Sequence, residues 1–275
     1  MFGWTEAEEE TFHHKLSMGM LWISPITFLF LYFVTPPNWG KTYKTLLGPT
    51  VPPRIGWCLF EIPNLYWSVI CFFARSEPLP IANTLLLGLF VGHYINRSIV
   101  YPLTLNAQSK PLPLEIVLSA QLYTNVNGYV QAQGLCQFTS YPEDYIYSPS
   151  FWFGVLIFGI GVAINWQSDD ILRNLRKGKD KKKSDDDNKT GTKNSSSNYV
   201  IPYGGFFAYV SNPHYFGEIV EWTGFALACQ NLPAWSFVAF TCSNLIPRAV
   251  AHHKWYLDHF PDYPPHRKAV IPFVW

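Results

Sequence analysis

Glu218 and Glu221 stand three residues apart in the apolar run Tyr215-Phe-Gly-Glu-Ile-Val-Glu-Trp-Thr-Gly-Phe-Ala-Leu-Ala-Cys229. Three residues is nearly one helical turn, so a helix here projects both carboxylates from one face. An acid at the centre of a membrane helix costs roughly 2.5–3.5 kcal/mol. Two on one face therefore need partner groups or a water-filled cavity. Other apolar runs also carry polar groups: Glu61 in one, His93, Tyr94, Asn96 and Arg97 in the next, then Asn125, Asn127 and Gln131, and later Arg248. Such groups mark a ligand site, a pathway or a paired structural lock. Locks alone do not explain Tyr, His, Asn and Arg spread over six segments.

A second constellation is Asn165, Ser168, Asp169, Arg173 and Arg176, at offsets of zero, three, four, eight and eleven. On a helix they make one stripe. Its arginines suit phosphate and its acids suit ribose hydroxyls, so it can contact a nucleotide. The plainer reading is a charged interfacial helix end. The soluble dinucleotide fingerprint is absent: Gly159-Ile-Gly161-Val-Ala-Ile164 lacks the third glycine and lies in an apolar run. Small residues there serve close helix packing instead. His13-His14 and His252-His253 lack metal-ligand spacing, as do five scattered cysteines, so no metal centre is expected.

The elements that carry these groups are apolar helices. The 275 residues are 48% hydrophobic, 17% aromatic and 14% charged, against about 25% charged in a soluble domain. A net charge of +1 argues against nucleic acid as a partner. Apolar runs at about Leu16–Val34, Ile55–Phe73, Leu79–Leu103, Leu112–Ala132, Phe151–Trp166, Phe216–Leu232 and Ala234–Val250 approach the roughly 17–25 residues that cross a bilayer. They predict an all-α polytopic membrane protein with seven transmembrane helices. Lys and Arg gather in alternate loops, which places the N-terminus in the lumen and the C-terminus in the cytosol. The leader Met1–His14 is acidic, so the first run is retained and is not a signal peptide. Residues 1–275 form one membrane domain. Its lysine-rich stretch at about 177–198 has nothing to bury and is expected to be a disordered cytosolic loop. The glycosylation patterns at Asn188 and Asn194 then face the cytosol.

The run Val210-Ser-Asn-Pro-His-Tyr-Phe-Gly-Glu-Ile-Val-Glu-Trp222, the run Asn244-Leu-Ile-Pro-Arg-Ala-Val-Ala-His-His-Lys-Trp-Tyr256 and the ending from Asp262 to Phe273 resemble the steroid 5α-reductase family. Asn165-x-x-Ser-Asp-x-x-Leu-Arg173 and His93-Tyr94-x-x-Arg97 add to the likeness. The resemblance implies a seven-helix membrane enzyme of the endoplasmic reticulum that uses NADPH and takes its steroid from the lipid phase. It makes Asn165, Asp169, Arg173, Tyr199, Glu218, His252 and Tyr256 cofactor contacts, with Arg97 a further one and Glu218 at the nicotinamide end. It makes Trp57, Glu61 and Tyr94 the steroid site. Glu61 and Tyr94 reach the C3 carbonyl, where charge grows as hydride attacks C5 of a Δ4-3-ketone, and act as an oxyanion hole does. Glu221 then braces the site or pairs with a cation such as Arg248.

Two positions depart from the family pattern. His214 replaces the usual Asn, so imidazole must take over any contact with the cofactor there. Phe60 replaces a polar Gln of an animal relative, which implies a different steroid or inhibitor preference. Polyprenol or trans-2-enoyl-CoA reduction by the same superfamily is an alternative, as is a non-enzymatic transporter or receptor. The last offers no account of the Asn165–Arg176 stripe.

Overall fold

Proline marks where most of the helices begin. The computed structural model describes residues 5–34, 48–105, 109–187 and 199–275, with the backbone alone over 176–187. Within them the α-helices are α1 Glu6–Phe33, α2 Pro53–Phe73, α3 Ile81–Ile95, α4 Tyr101–Thr104, α5 Leu114–Gln133, α6 Pro149–Asp187, α7 Pro213–Cys229 and α8 Leu232–His259. Pro52, Pro80 and Pro113 are the N-cap residues of α2, α3 and α5, and Pro213 and Pro233 open α7 and α8. The missing N–H costs nothing there, because the first turn of a helix has no internal acceptor for it. Strands β1 (Thr50–Val51) and β2 (Leu112–Pro113) pair antiparallel and tie together the starts of α2 and α5. The protein is mostly helical, as its apolar runs predict.

Among the described residues, three helices are long and apolar enough to cross a membrane: α1, α2 and the Pro149–Leu175 part of α6. The other four expected spans coincide with α3 and its continuation, α5, α7 and α8. Of these, α3 (15 residues) and α7 (17 residues) are short as α-helices, while α5 and α8 are long enough but carry polar groups that lower their hydropathy. Side chains such as Trp22, Ile26, Phe33, Phe73, Leu122 and Leu156 are exposed, as a lipid-facing surface requires. The sequence reading puts disorder from about residue 177. The backbone of α6 is described as far as Asp187. Residues 188–198, including both glycosylation patterns, lie outside the described residues.

The closest helix pairing is α6 against α7, along a seam of glycines. A Cβ at Gly217 would lie 2.6 Å from the Asn165 backbone N and 2.8 Å from the Gly161 carbonyl O. One at Gly154 would lie 2.7 Å from the Gly224 O. No side chain fits at these points, so Gly154, Gly161, Gly217 and Gly224 let the two backbones touch. Of the two glycines expected to serve packing, Gly161 does so and Gly159 faces open space. Gly217→Val is therefore expected to destabilise the protein by about 1–3 kcal/mol, the usual cost of overpacking. Gly159→Val changes little by this account. Melting temperatures of the two variants in detergent check the contrast, and equal melting would contradict the seam.

The C-terminal residues fold back over the start of α7. The Ser211 N–H donates to the Lys268 carbonyl (2.8 Å), and the Lys268 N–H donates to the Tyr209 carbonyl (2.9 Å). Below this strap, Asn212 donates to the carbonyls of Ala249 (3.1 Å) and Ala269 (3.0 Å). One amide thus joins α7, α8 and the C-terminal segment.

Candidate active site

Trp57 and Glu61 lie one turn apart on α2. Tyr94 lies in the last turn of α3, and a wider π-helical turn follows at Asn96–Val100. Such a turn accommodates an extra residue and re-aims its side chains, often at functional sites. Here it turns Arg97 towards two acids. Arg97 Nε lies 3.7 Å from Glu61 Oε1, and Nη2 lies 4.0 Å from Glu218 Oε2. The guanidinium also sits 5.1 Å from the ring centroids of both Trp57 and Tyr101. Aromatic faces and the carboxyl groups of Glu61 and Glu218 thus surround the cation in a largely buried place. Trp57, Glu61, Tyr94, Arg97 and Glu218, expected on different helices, form one group.

Glu221 takes a different partner from Arg248. Its Oε1 lies 2.5 Å from His93 Nδ1, with both side chains almost fully buried. The pair binds α3 to α7 directly behind Tyr94. The His93 ring meets Trp222 edge-on at 4.5 Å and Tyr94 at 5.0 Å, and Tyr94 stacks against Trp222 at 5.9 Å. The shared helical face of Glu218 and Glu221 is therefore split between Arg97 and His93, one turn apart on the neighbouring segment.

A second group surrounds the start of α7. Asn165 Nδ2 donates to the His214 carbonyl at 2.9 Å, so this amide braces α7 against α6. His214 turns its ring towards Tyr215, 4.2 Å between centroids. Because the Asn212 amide NH2 serves two backbone carbonyls, its oxygen is left to accept. The His252 Nδ1–H donates to it at 3.1 Å, which fixes the imidazole tautomer. Tyr256 stacks on Tyr263 at 5.0 Å, and Tyr199 meets Trp255 at 5.0 Å. Ser211 Oγ bonds both His253 Nδ1 and the Tyr263 hydroxyl at 2.6 Å.

On α6, Asn165 and Ser168 are buried and Asp169 and Arg173 half-buried, while Trp166 and Gln167 are exposed, so the predicted stripe is one face of the helix. Arg173 Nη2 lies 3.6 Å from Asp170, which occupies part of its charge. The side chain of Arg176 lies outside the described residues. The two groups are linked by charge. Glu218 and Asp169 both act on Arg97, and Glu218 acts on Arg248 as well. His93, Asn64, Ser211 and Asn212 are the residues to which sequence reasoning gave no role. For His93 and Asn64 the available signal was polarity inside an apolar run, and for Ser211 and Asn212 their place in the Val210–Trp222 run, but their partners lie far away in sequence.

Lipid-facing helices around a buried polar seam between α2, α3 and α7 define a helical membrane protein with an internal site. Residues 110–275 match the family model described as 3-oxo-5-alpha-steroid 4-dehydrogenase. The chain is 42% identical over 240 residues to 3-oxo-5-alpha-steroid 4-dehydrogenase 1 of Rattus norvegicus, spanning 86% of this chain and 85% of that one. It is 37% identical over 254 residues to steroid 5-alpha-reductase DET2 of Solanum lycopersicum, spanning 90% and 91%. With the DET2 of Arabidopsis thaliana the identity is 37% over 280 residues, spanning 98% and 99%. The chain belongs to the 3-oxo-5-alpha-steroid 4-dehydrogenase family, as its Val210–Trp222 and Asn244–Tyr256 runs suggest.

Proposed function

We propose that the protein is an NADPH-dependent reductase of the Δ4 double bond of 3-oxo-steroids, embedded in the endoplasmic reticulum membrane. It has seven spans, with its N-terminus in the lumen and its C-terminus in the cytosol. The observation that carries this reading is the convergence of Glu61, Tyr94, Arg97 and Glu218 from α2, α3, the π-helical turn and α7 into one buried group. Family membership supports the steroid as substrate.

The residues suit the cofactor. Arg97, between Glu61 and Glu218, is a buried cation at the junction of the two groups. Around the start of α7 stand an amide, carboxylates and imidazoles of fixed orientation, the donor and acceptor set a nucleotide needs. Asn165, Asp169, Arg173, Tyr199, His214, Glu218, His252 and Tyr256 would hold the cofactor. NADPH, when bound, supplies the hydride that reaches C5.

The remaining chemistry belongs to the protein. As C5 is reduced, negative charge gathers on the C3 oxygen of the steroid. Glu61 in its neutral form and Tyr94 donate hydrogen bonds to that oxygen, in a place where water does not compete. The enolate is then protonated at C4. Trp57, packed against Phe60 (4.7 Å) and Tyr101 (5.0 Å), gives the steroid an apolar wall. The steroid arrives from the surrounding lipid. Purified protein in liposomes, given NADPH and a panel of Δ4-3-ketosteroids, polyprenols and enoyl-CoAs, tests the reading. NADPH should be consumed with the ketosteroids; consumption with none of the panel, or only with another class, would overturn it.

A further inference from the structure

Tyr94 can serve a developing oxyanion only if its own proton points there. A phenol oxygen both donates and accepts, and its hydrogen turns to whichever neighbour accepts. Three amides from the apolar runs, Asn64, Asn127 and Gln131, decide the matter. All are buried, with exposures of 0%, 0% and 2%, so bulk water does not compete with them.

The direction of this chain of amides follows from its ends. Gln131 Nε2 donates to the Pro233 carbonyl at 2.8 Å and to Asn127 Oδ1 at 3.3 Å. A backbone carbonyl only accepts, so the Gln131 amide has one orientation. Asn127 must then offer its oxygen to Gln131 and turn its NH2 the other way. That NH2 donates to Asn64 Oδ1 at 3.0 Å and reaches the Tyr94 hydroxyl at 3.5 Å. The far end agrees. Asn64 Nδ2 donates to the Glu61 carbonyl at 3.2 Å, which leaves the Asn64 oxygen to accept. An amide NH2 accepts nothing, so towards Asn127 the Tyr94 oxygen is the acceptor and its hydrogen is directed elsewhere. The 3.5 Å separation is at the outer limit of hydrogen bonding, a length that catalytic contacts often have before substrate binds.

We infer that Asn127, held by Gln131 and Asn64, is a positioning residue that fixes the Tyr94 hydroxyl as a donor to the carbonyl oxygen of the substrate. This rests on the role given to Tyr94 above. The chain of amides also ends on the backbone carbonyl of Glu61, three residues from Asn64 on α2. Gly128 keeps the arrangement tight, since a Cβ there would lie 2.8 Å from the Pro63 carbonyl on α2.

A double-mutant cycle tests the inference, with kcat and KM measured for Asn127→Ala in the wild-type and Tyr94→Phe backgrounds. In the wild type, Asn127→Ala should lower kcat about tenfold while NADPH affinity holds, the effect of losing one hydrogen bond in the transition state. In Tyr94→Phe it should change kcat by less than about twofold, because the hydroxyl it orients is gone. Equal losses in both backgrounds would make Asn127 merely structural and overturn the inference. Unchanged kcat in Tyr94→Phe alone would instead remove Tyr94 from the reaction, and the inference with it. If Asn127→Ala does not fold, Gln131→Met removes only the anchor at Pro233 and carries the same cycle. It should lower kcat about threefold in the wild type and leave Tyr94→Phe unchanged; the same loss in both would again overturn the inference.

Discussion

Glu61→Gln is expected to lower kcat by about 10²–10³-fold, the usual effect of weakening one oxyanion-hole donor. The amide has the shape of the acid and still donates a hydrogen bond. A carboxylic acid shares its proton far more strongly with an enolate oxygen, so the loss grows as charge develops. For that reason kcat should fall much more than the affinity for steroid. NADPH binding should persist, because Arg97 keeps Glu218 at 4.0 Å and the amide oxygen of the variant can still face Arg97 where Glu61 Oε1 stood at 3.7 Å. NADPH oxidation rates with a Δ4-3-ketosteroid, set beside NADPH affinity by fluorescence, check both halves. Undiminished turnover would remove Glu61 from the mechanism.

Glu221→Leu is expected to destabilise the protein by about 1–3 kcal/mol, because removing one partner of a buried hydrogen bond leaves the other unsatisfied. His93 would face that loss in a space closed by Trp222 and Tyr94, with rings at 4.5 and 5.0 Å and little room for water. The same pair is a lateral tie between α3 and α7, so the Tyr94 ring should loosen as well. Glu221→Gln keeps an acceptor for the imidazole and should lose less. Thermal unfolding in detergent separates the two variants. A Glu221→Leu protein that melts with the wild type would mean the pair does not hold these helices together.

Much of the architecture was legible because the signals were local. Hydrophobic runs gave the helices, and three-residue spacing put Glu218 and Glu221 on one face. The stripe from Asn165 to Arg173 was equally readable, since it depends only on helical period. Boundaries were less so. The sixth run was drawn through Leu232, yet Gln230 adopts a left-handed conformation (φ 50°) and Asn231 caps the next helix by accepting from the Ala234 N–H. Leu232 thus belongs to α8. The run from Leu79 to Leu103 gave no hint of its π-helical turn, which is what aims Arg97.

Pairings across the fold were the least readable part. Glu221 with His93 joins residues 128 positions apart, and Asn127 with Asn64 joins residues 63 apart. Period and composition say that such groups need partners but not which ones. The acidic leader is a similar case. It was informative only as a poor signal peptide, yet Thr5 and Glu8 form a capping box that starts α1 there. Glu9 then accepts from Gln133 at 3.1 Å, and His13 Nε2 lies 2.8 Å from the Val130 carbonyl, so the leader docks on α5.

The central claim is that hydride goes to C5 of a Δ4-3-ketosteroid while Glu61 and Tyr94 hold the C3 oxygen. Its most direct test is turnover of such a steroid by the purified protein in liposomes, with NADPH deuterated at the transferable position. The account predicts a saturated 3-ketosteroid with deuterium at C5 and solvent hydrogen at C4. Product without deuterium at C5, or NADPH left unconsumed, would contradict it.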